Sequence, residues 1–263
     1  MKKKLIILTG PTAVGKTDLS IRLARTVGGE IISADSMQVY RRMDIGTAKI
    51  RPEEMDGVRH HLIDILEPTE SFNAFLFKEY ALKAANEIWE RGSIPIIVGG
   101  TGFYIQTLLY DIEFAKSDEN DGIRDELNKL YEEHGAAFLH DMLAKADPEY
   151  AAEVHENNVK KVIRAIEFYR QTGHKLSEHN TEQRERTSPY NFEYFVLSDD
   201  RAVLYERIDK RIDKMVEAGL IAEVQALLDE GVDRESVAMQ GLGYKEIASY
   251  LAGEISLDEA IYS

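Results

Sequence analysis

The run Gly10-Pro11-Thr12-Ala13-Val14-Gly15-Lys16-Thr17 has the residue types and spacing of a phosphate-binding loop. Two glycines four residues apart let backbone N–H groups turn inward and cradle phosphate oxygens. The helix expected to start there adds partial positive charge at its N-terminus. Lys16 is placed to reach a terminal phosphate, and the Thr17 hydroxyl is the expected ligand of a Mg²⁺ ion. A P-loop NTPase commonly adds an Asp at the end of a later strand to help hold that metal. Here the corresponding run, Ile94 to Val98, ends in Gly99-Gly100-Thr101-Gly102, with no carboxylate. Those glycines predict close approach of a ligand above the sheet, or an ordinary tight turn. A second run, Glu30 to Ala34, does end in an acid, Asp35, followed by Ser36-Met37-Gln38. Asp35 suits a general base or metal ligand, and equally a helix N-cap.

Other residues invite chemistry and mostly read as structure. Neighbours such as His60 and His61 do not face the same way on a helix or a strand, which argues against a shared metal. Trp89 falls on the apolar side of a helix and is expected in the core. Tyr40, Phe103 and Tyr104 can stack a base or line an apolar pocket, and core packing explains each of them as well.

The elements that must position these groups alternate. Lys4 to Thr9, Glu30 to Ala34, Ser93 to Val98 and Phe192 to Leu197 are strand-like. Thr17 to Val27 predicts a helix with Leu19, Leu23, Ala24 and Val27 on one face. Phe72 to Arg91 predicts another, with Phe75, Leu76, Tyr80, Ala84 and Ile88 at helical spacing, closed by Gly92. Two more follow at Arg201 to Ala218 and Ile221 to Glu230. The expected fold class is α/β: a P-loop NTPase-like parallel sheet with helices on both faces, plus an inserted all-helical domain. The insertion is placed at 114–186, where the chain turns charged and helical near Phe114. The core is placed at 1–113 and 187–263.

Composition narrows the function class. The chain has 263 residues, 44% hydrophobic and 30% charged, enough for one large core with an insertion. The absence of cysteine excludes disulfides, thiolate catalysis and Cys-ligated zinc. No apolar run approaches a membrane span. The apolar stretch after Lys2-Lys3-Lys4 is too short for a signal peptide, and Gly10-Pro11 ends it. The expected location is the cytoplasm. The net charge of −15 is a poor prior for a nucleic-acid binder, yet the charges are segregated. Ser117 to Asn158 carries twelve Asp/Glu against three Lys/Arg, and Lys160 to Lys175 carries five Lys/Arg against one Glu. By charge alone these are two solvated helix faces.

Together the motifs resemble the tRNA dimethylallyltransferase (tRNA isopentenyltransferase) family, bacterial type. The P-loop is shared with many kinases. Ile32-Ser33-Ala34-Asp35-Ser36-Met37-Gln38-Val39-Tyr40, Met43 to Lys49, His60 to Asp64, Val98 to Tyr104 and Gly241-Leu242-Gly243-Tyr244-Lys245-Glu246 are more specific, and they run in order along nearly the whole chain. The resemblance implies transfer of a dimethylallyl group from dimethylallyl diphosphate to N6 of the adenosine beside the tRNA anticodon. In that case the P-loop holds a diphosphate leaving group. The resemblance makes Asp35 the base, Thr101 a positioner of the amine and Arg211 an anchor of the leaving group. It places tRNA contacts at Asp35, Ser36, Met37, Gln38, Thr101, Arg124, Lys160, Lys161, Val162, Ile163, Arg164, Gln240, Gly241, Gly243, Tyr244 and Lys245, and the partner is the anticodon stem-loop. It implies Mg²⁺ as cofactor, a monomer, and no membrane partner. There are two departures. Lys160-Lys161 stand where the family often has Gln-Arg. Family members also usually continue past the position of Ser263 with a basic, aromatic segment. A small-molecule P-loop kinase and a nucleotide-gated RNA-binding protein are the alternative classes.

Overall fold

The computed structural model describes residues 2–113 and 122–262. Phe114 and the acidic residues Asp118, Glu119 and Asp121 lie outside the described residues. The elements are β1 (Lys4–Thr9), α1 (Lys16–Val27), β2 (Gly29–Ser33), β3 (His60–His61), α2 (Ala74–Glu90), β4 (Ile94–Gly99), α3 (Gly102–Leu109), α4 (Ile123–Ala146), α5 (Pro148–Glu153), α6 (Val159–Thr172), α7 (Leu176–Glu185), β5 (Asn191–Val196), α8 (Arg201–Glu217), α9 (Leu220–Asp229), α10 (Tyr244–Leu251) and α11 (Leu257–Tyr262).

The described residues fall into two compact units, Met1–Leu109 with Ser188–Ser263, and Tyr110–Thr187. The sequence alone sets the boundaries at 113/114 and 186/187. Residues 110–113 side with the helical unit because α7 and the residue after it hold them. The Gln183 carboxamide accepts from Glu113 N–H, and Arg186 donates to the Asp111 carbonyl and pairs with Glu113.

The first unit is an α/β domain around one parallel sheet in the order β3-β2-β4-β1-β5. Leu5, Ile7, Leu8, Ile31, Ile32, Ile96 and Ile97 are buried along its central strands. Strand alternation divides them between the two faces. Ile31 and Ile96 pack with Ile21 and Ala24 of α1. The buried stripe of α1 is Ser20, Ile21 and Ala24, while Leu19 is exposed. Of the apolar face predicted for this helix, Ala24 is buried, Leu23 and Val27 pack against this core, and only Leu19 turns away from it. In α2, Phe77, Ala81, Ala84, Ala85 and Ile88 are buried and Phe75 is exposed. Trp89 is half-buried and is not a core residue. Its indole N–H donates to the Lys4 carbonyl at 2.8 Å, Tyr190 stacks on it, and the Lys3 ammonium lies 4.4 Å from the ring. The strand β3 was missed in the sequence, since two residues carry no periodicity. β5 is an edge strand that leaves Tyr194, Phe195 and Val196 exposed.

The helical unit has its own core of Leu127, Leu139, Leu143, Val162, Ala165 and Ile166. A fully buried carboxylate, Asp147, ties its helices. It caps α5 by accepting from Tyr150 N–H, and it accepts from both the N–H and the hydroxyl of Ser177 in α7. Burial opposes its ionisation, but these hydrogen bonds outweigh that and hold its pKa below the ordinary value. The stabilisation is therefore full above the unfolded carboxylate pKa of about 3.9 and is lost as pH falls through the lower folded value. Asp147→Ala is expected to cost about 2–4 kcal/mol, because it strands buried donors. Denaturant melts at pH 7 should show that gap, and melts below pH 3 should show it shrink.

Candidate active site

The P-loop joins β1 to α1 and is wedged against β5. Leu197 N–H donates to the Thr9 carbonyl at 2.7 Å, and a Cβ on Gly10 would meet the Leu197 carbonyl at 2.6 Å. Gly10 is thus dictated by the residue that follows β5, independently of any ligand. Pro11, Thr12, Gly15 and Thr17 are exposed, and Ala13 and Val14 are half-buried. The Lys16 ammonium donates to the carbonyls of Gly10 and Pro11 at 2.9 and 2.7 Å, across the mouth of the loop. Burial pushes its pKa down, Asp35 opposes this, and Arg211 adds to the lowering.

These three residues converge from different elements. Asp35 follows β2, Lys16 opens α1, and Arg211 lies on α8, whose Arg207 guanidinium approaches the Ala13 carbonyl at 3.5 Å. Burial lowers the pKa of Arg211 as well, with Asp35 in opposition. Two like-charged groups thus flank one carboxylate at the C-terminal end of the sheet, an arrangement suited to a polyanion.

Asp35 fulfils both readings of the sequence at once. Its Oδ1 accepts from Met37 N–H at 2.8 Å and from Gln38 N–H at 3.2 Å, which caps the turn. It also lines a cleft of about 70 Å³ with Lys16, Thr17, Ser20, Ser33, Gln38, His60, Val98 and Gly99. Ile31, Ala48 and Ile50 supply further apolar lining. Ser36, Met37 and Gln38 are half-buried beside it.

One of the strand-end glycines, Gly99, lines the cleft and also has a structural cause. A Cβ on Gly99 would meet the Ala34 carbonyl oxygen at 2.3 Å, so two strand ends touch there. That contact brings Thr101, whose N–H reaches the Ala34 carbonyl at 3.4 Å, next to Asp35. Tyr40 and Tyr104 are core residues. Tyr104 stacks on Phe77 at 4.9 Å and meets Phe72 edge-on at 5.6 Å. Burial and then the Asp35 charge raise its pKa. Phe103 is exposed at the start of α3.

His60 and His61 do not share a ligand. His60 Nδ1 lies 2.9 Å from the Val58 carbonyl, and burial lowers its pKa. His61 Nε2 lies 2.8 Å from Glu30. Among the described residues no group of three or more His, Cys, Asp or Glu is placed to hold a metal. Nor, among them, is any helix long and apolar enough to cross a membrane.

The segment Gln240 to Lys245 reaches the same region. A Cβ on Gly241 would meet Met37 Sδ at 2.7 Å. Gln240 and Lys245 are exposed and Gly243 is half-buried. Tyr244 is different. It is 1% exposed and its hydroxyl donates to Glu223, so its side chain is structural. A similar correction applies in the helical unit. Val162 and Ile163 are 0% and 6% exposed in its core, so their side chains are withheld from any RNA. Lys160, Lys161 and Arg164 are exposed on α6. Arg124 is engaged by the buried Glu167 at 2.5 Å.

A family profile described as IPP transferase matches residues 38–263, most of the chain. The chain belongs to the IPP transferase family. The tRNA dimethylallyltransferase of Lachnoclostridium phytofermentans is 58% identical to it over 98% of this chain and 82% of that relative. The crystal structure of a full-length tRNA isopentenylpyrophosphate transferase from Bacillus halodurans is 47% identical, covers 99% of this chain and 81% of its own, and superposes with a TM-score of 0.72. A eukaryotic dimethylallyltransferase crystallised acting on tRNA is 33% identical, with a TM-score of 0.87 over 98% of this chain and 65% of its own. Within the IPP transferase family this chain shares the parallel sheet and its helices. Ser20, Ala48 and Ile50 are cleft residues that motif spacing alone does not assign to the site, since only their folding together defines them.

Proposed function

We propose that this protein transfers a dimethylallyl group from dimethylallyl diphosphate to N6 of the adenosine next to the anticodon of tRNA, releasing diphosphate. The observation that carries this reading is the meeting of Asp35 with the P-loop residues Lys16 and Thr17 in one cleft, on a chain of the IPP transferase family. The allylic C–O bond breaks and its electron pair leaves with the diphosphate. The N6 nitrogen forms the new C–N bond, and its proton passes to the Asp35 carboxylate. Lys16, the loop N–H groups and Arg211 hold the leaving oxygens as charge builds on them. Thr101, held beside Asp35 by the Ala34 carbonyl, positions the amine.

Thr17 and Asp35 offer a hydroxyl and a single carboxylate, the sparse oxygen set that suits Mg²⁺ shared with a substrate phosphate. When bound, that ion neutralises the diphosphate charge. Thr17 is the residue to hold it.

The adenine must leave its stack before N6 is exposed, at a cost of a few kcal/mol that flanking contacts must offset. Lys160, Lys161 and Arg164, exposed within about one turn of α6, are suited to grip phosphates. The substrate makes the cytoplasm the site of action, and the protein acts as a monomer. Replacing Lys160, Lys161 and Arg164 together by Ala is expected to weaken tRNA binding and flatten its salt dependence. Diphosphate binding should be retained. A salt titration showing the wild-type slope and affinity in the triple variant would reduce the basic cluster to a solvated face.

Incubation with tRNA, dimethylallyl diphosphate and Mg²⁺, followed by mass spectrometry of the nucleosides, tests the activity itself. Prenylated adenosine is the expected product. Its absence, with transfer of the ATP γ-phosphate to a small molecule, would favour a kinase.

A further inference from the structure

The residues 41–50 form an irregular segment on the rim of the cleft, and Ala48 and Ile50 line it. Non-glycine residues in this segment adopt left-handed backbone, Arg42 at φ 61° and Ala48 at φ 44°. Such backbone is held in place by its surroundings. Two devices hold it. From beneath, the buried Lys49 ammonium donates to the Tyr40 carbonyl, to Asp44 and to Asp64. From the side, α9 presents Glu223. Its Oε2 accepts from Asp44 N–H and Ile45 N–H, both at 2.9 Å, and its Oε1 accepts from Gly46 N–H at 3.2 Å.

Three successive backbone N–H groups converging on one carboxylate form an anion nest filled by the protein's own side chain. Tyr244 completes the arrangement. Its hydroxyl donates to Glu223 Oε1, and its ring lies where a Cβ on Gly46 would be, at 2.5 Å. Burial, and then the Glu223 charge, push the Tyr244 pKa upward, so the phenol stays a donor.

The nest connects to the reacting groups through few bonds. Next along the chain is Thr47, whose carbonyl accepts from Gln38 Nε2 at 3.2 Å. Gln38 Oε1 in turn accepts from the Ser33 hydroxyl at 3.3 Å, and Gln38 N–H rests on Asp35 Oδ1. We propose that Glu223 is a positioning residue. By filling the Asp44–Gly46 nest it sets the Thr47 carbonyl, and through it the orientation of the Gln38 carboxamide beside Asp35.

The inference rests on the prenyl-transfer reading of the cleft, and its test separates the two. Glu223→Ala is expected to lower kcat about ten- to a hundredfold, the scale of a small misplacement of reacting groups. Thermal protection by diphosphate should persist, since the P-loop is untouched. Glu223→Gln keeps one oxygen for the Asp44 and Ile45 N–H groups, so a smaller loss is expected in a less disruptive variant. The decisive comparison is made in a Gln38→Ala background. If Glu223 acts through Gln38, its replacement there should add little further loss. Full additivity, or an unchanged kcat in Glu223→Ala, overturns the proposal. Amide hydrogen exchange at Asp44–Gly46 is read alongside and needs no turnover. It should quicken in Glu223→Ala, and unchanged protection also overturns the proposal. A wild-type protein that makes no prenylated adenosine sinks the prenyl-transfer reading and leaves the exchange result to judge the nest.

Discussion

Asp35→Asn is expected to lower prenyl transfer by about 10²- to 10⁴-fold, the contribution of a positioned base. The size of the effect follows from what the substitution spares. Asparagine keeps an oxygen at the position that accepts from Met37 and Gln38 N–H, so the turn after β2 stays capped. It keeps the volume of the side chain in the cleft. It removes only the ability to take the amine proton and the negative charge between Lys16 and Arg211. Melting temperature and tRNA affinity should therefore change little. Near-normal turnover in Asp35→Asn would make Asp35 a cap alone and would send the search for the base elsewhere in the cleft.

The second large effect is expected at Lys16. A diphosphate at a hundred times its dissociation constant stabilises the folded state by about 2.7 kcal/mol. Lys16→Ala should abolish most of that shift and lower turnover by about 10²- to 10³-fold, as the loss of one oxyanion donor does. Thermal shift assays with diphosphate, dimethylallyl diphosphate and ATP measure the first part. Diphosphates are expected to protect more than ATP, because β4 ends in Gly99 against the Ala34 backbone with no carboxylate of the usual metal-holding kind. A larger shift with ATP, matched by transfer of its γ-phosphate, would contradict the assignment.

Much of this site was legible from residue types. β1, β2 and β4 stand out because buried parallel strands are dense in β-branched and leucine residues, and β5, an exposed edge, stands out by its aromatic residues and Val196. The P-loop stands out because few other runs place two glycines, a lysine and a threonine after such a strand. What was hidden is mostly what depends on direction. Val162, Ile163 and Tyr244 sit inside motif stretches, yet their side chains point into cores. A motif marks a position along the chain and does not say which face it takes. Helical spacing of Val162, Ile163 and Ile166 carries that information for α6. Glu223 had no local signal at all. It is one of two acids on an amphipathic helix, and its partners Asp44, Ile45 and Gly46 are remote in sequence. Gly99 was readable as a special position; it lines the cleft, and its close packing on the Ala34 backbone is a second reason for glycine that the sequence did not show.

The wedging of the P-loop between β1 and β5 bears on how the chain folds. Lys4 pairs with Asn191 and Thr9 with Val196, so the flank of the loop is supplied by residues that follow the helical unit in sequence. Closing so long a loop carries an entropic cost, although that cost rises only slowly with length. Contacts between residues so far apart also slow folding. The helical unit, by contrast, is one continuous stretch, and its neighbouring helices meet locally. During synthesis Lys16 and Asp35 emerge early, but Leu197 is not yet there to seat Gly10. The phosphate site is thus expected to gain its final shape late, after residues 110–187 have left the ribosome. A nascent chain stalled before β5 should bind diphosphate poorly even though every residue of the P-loop is already present.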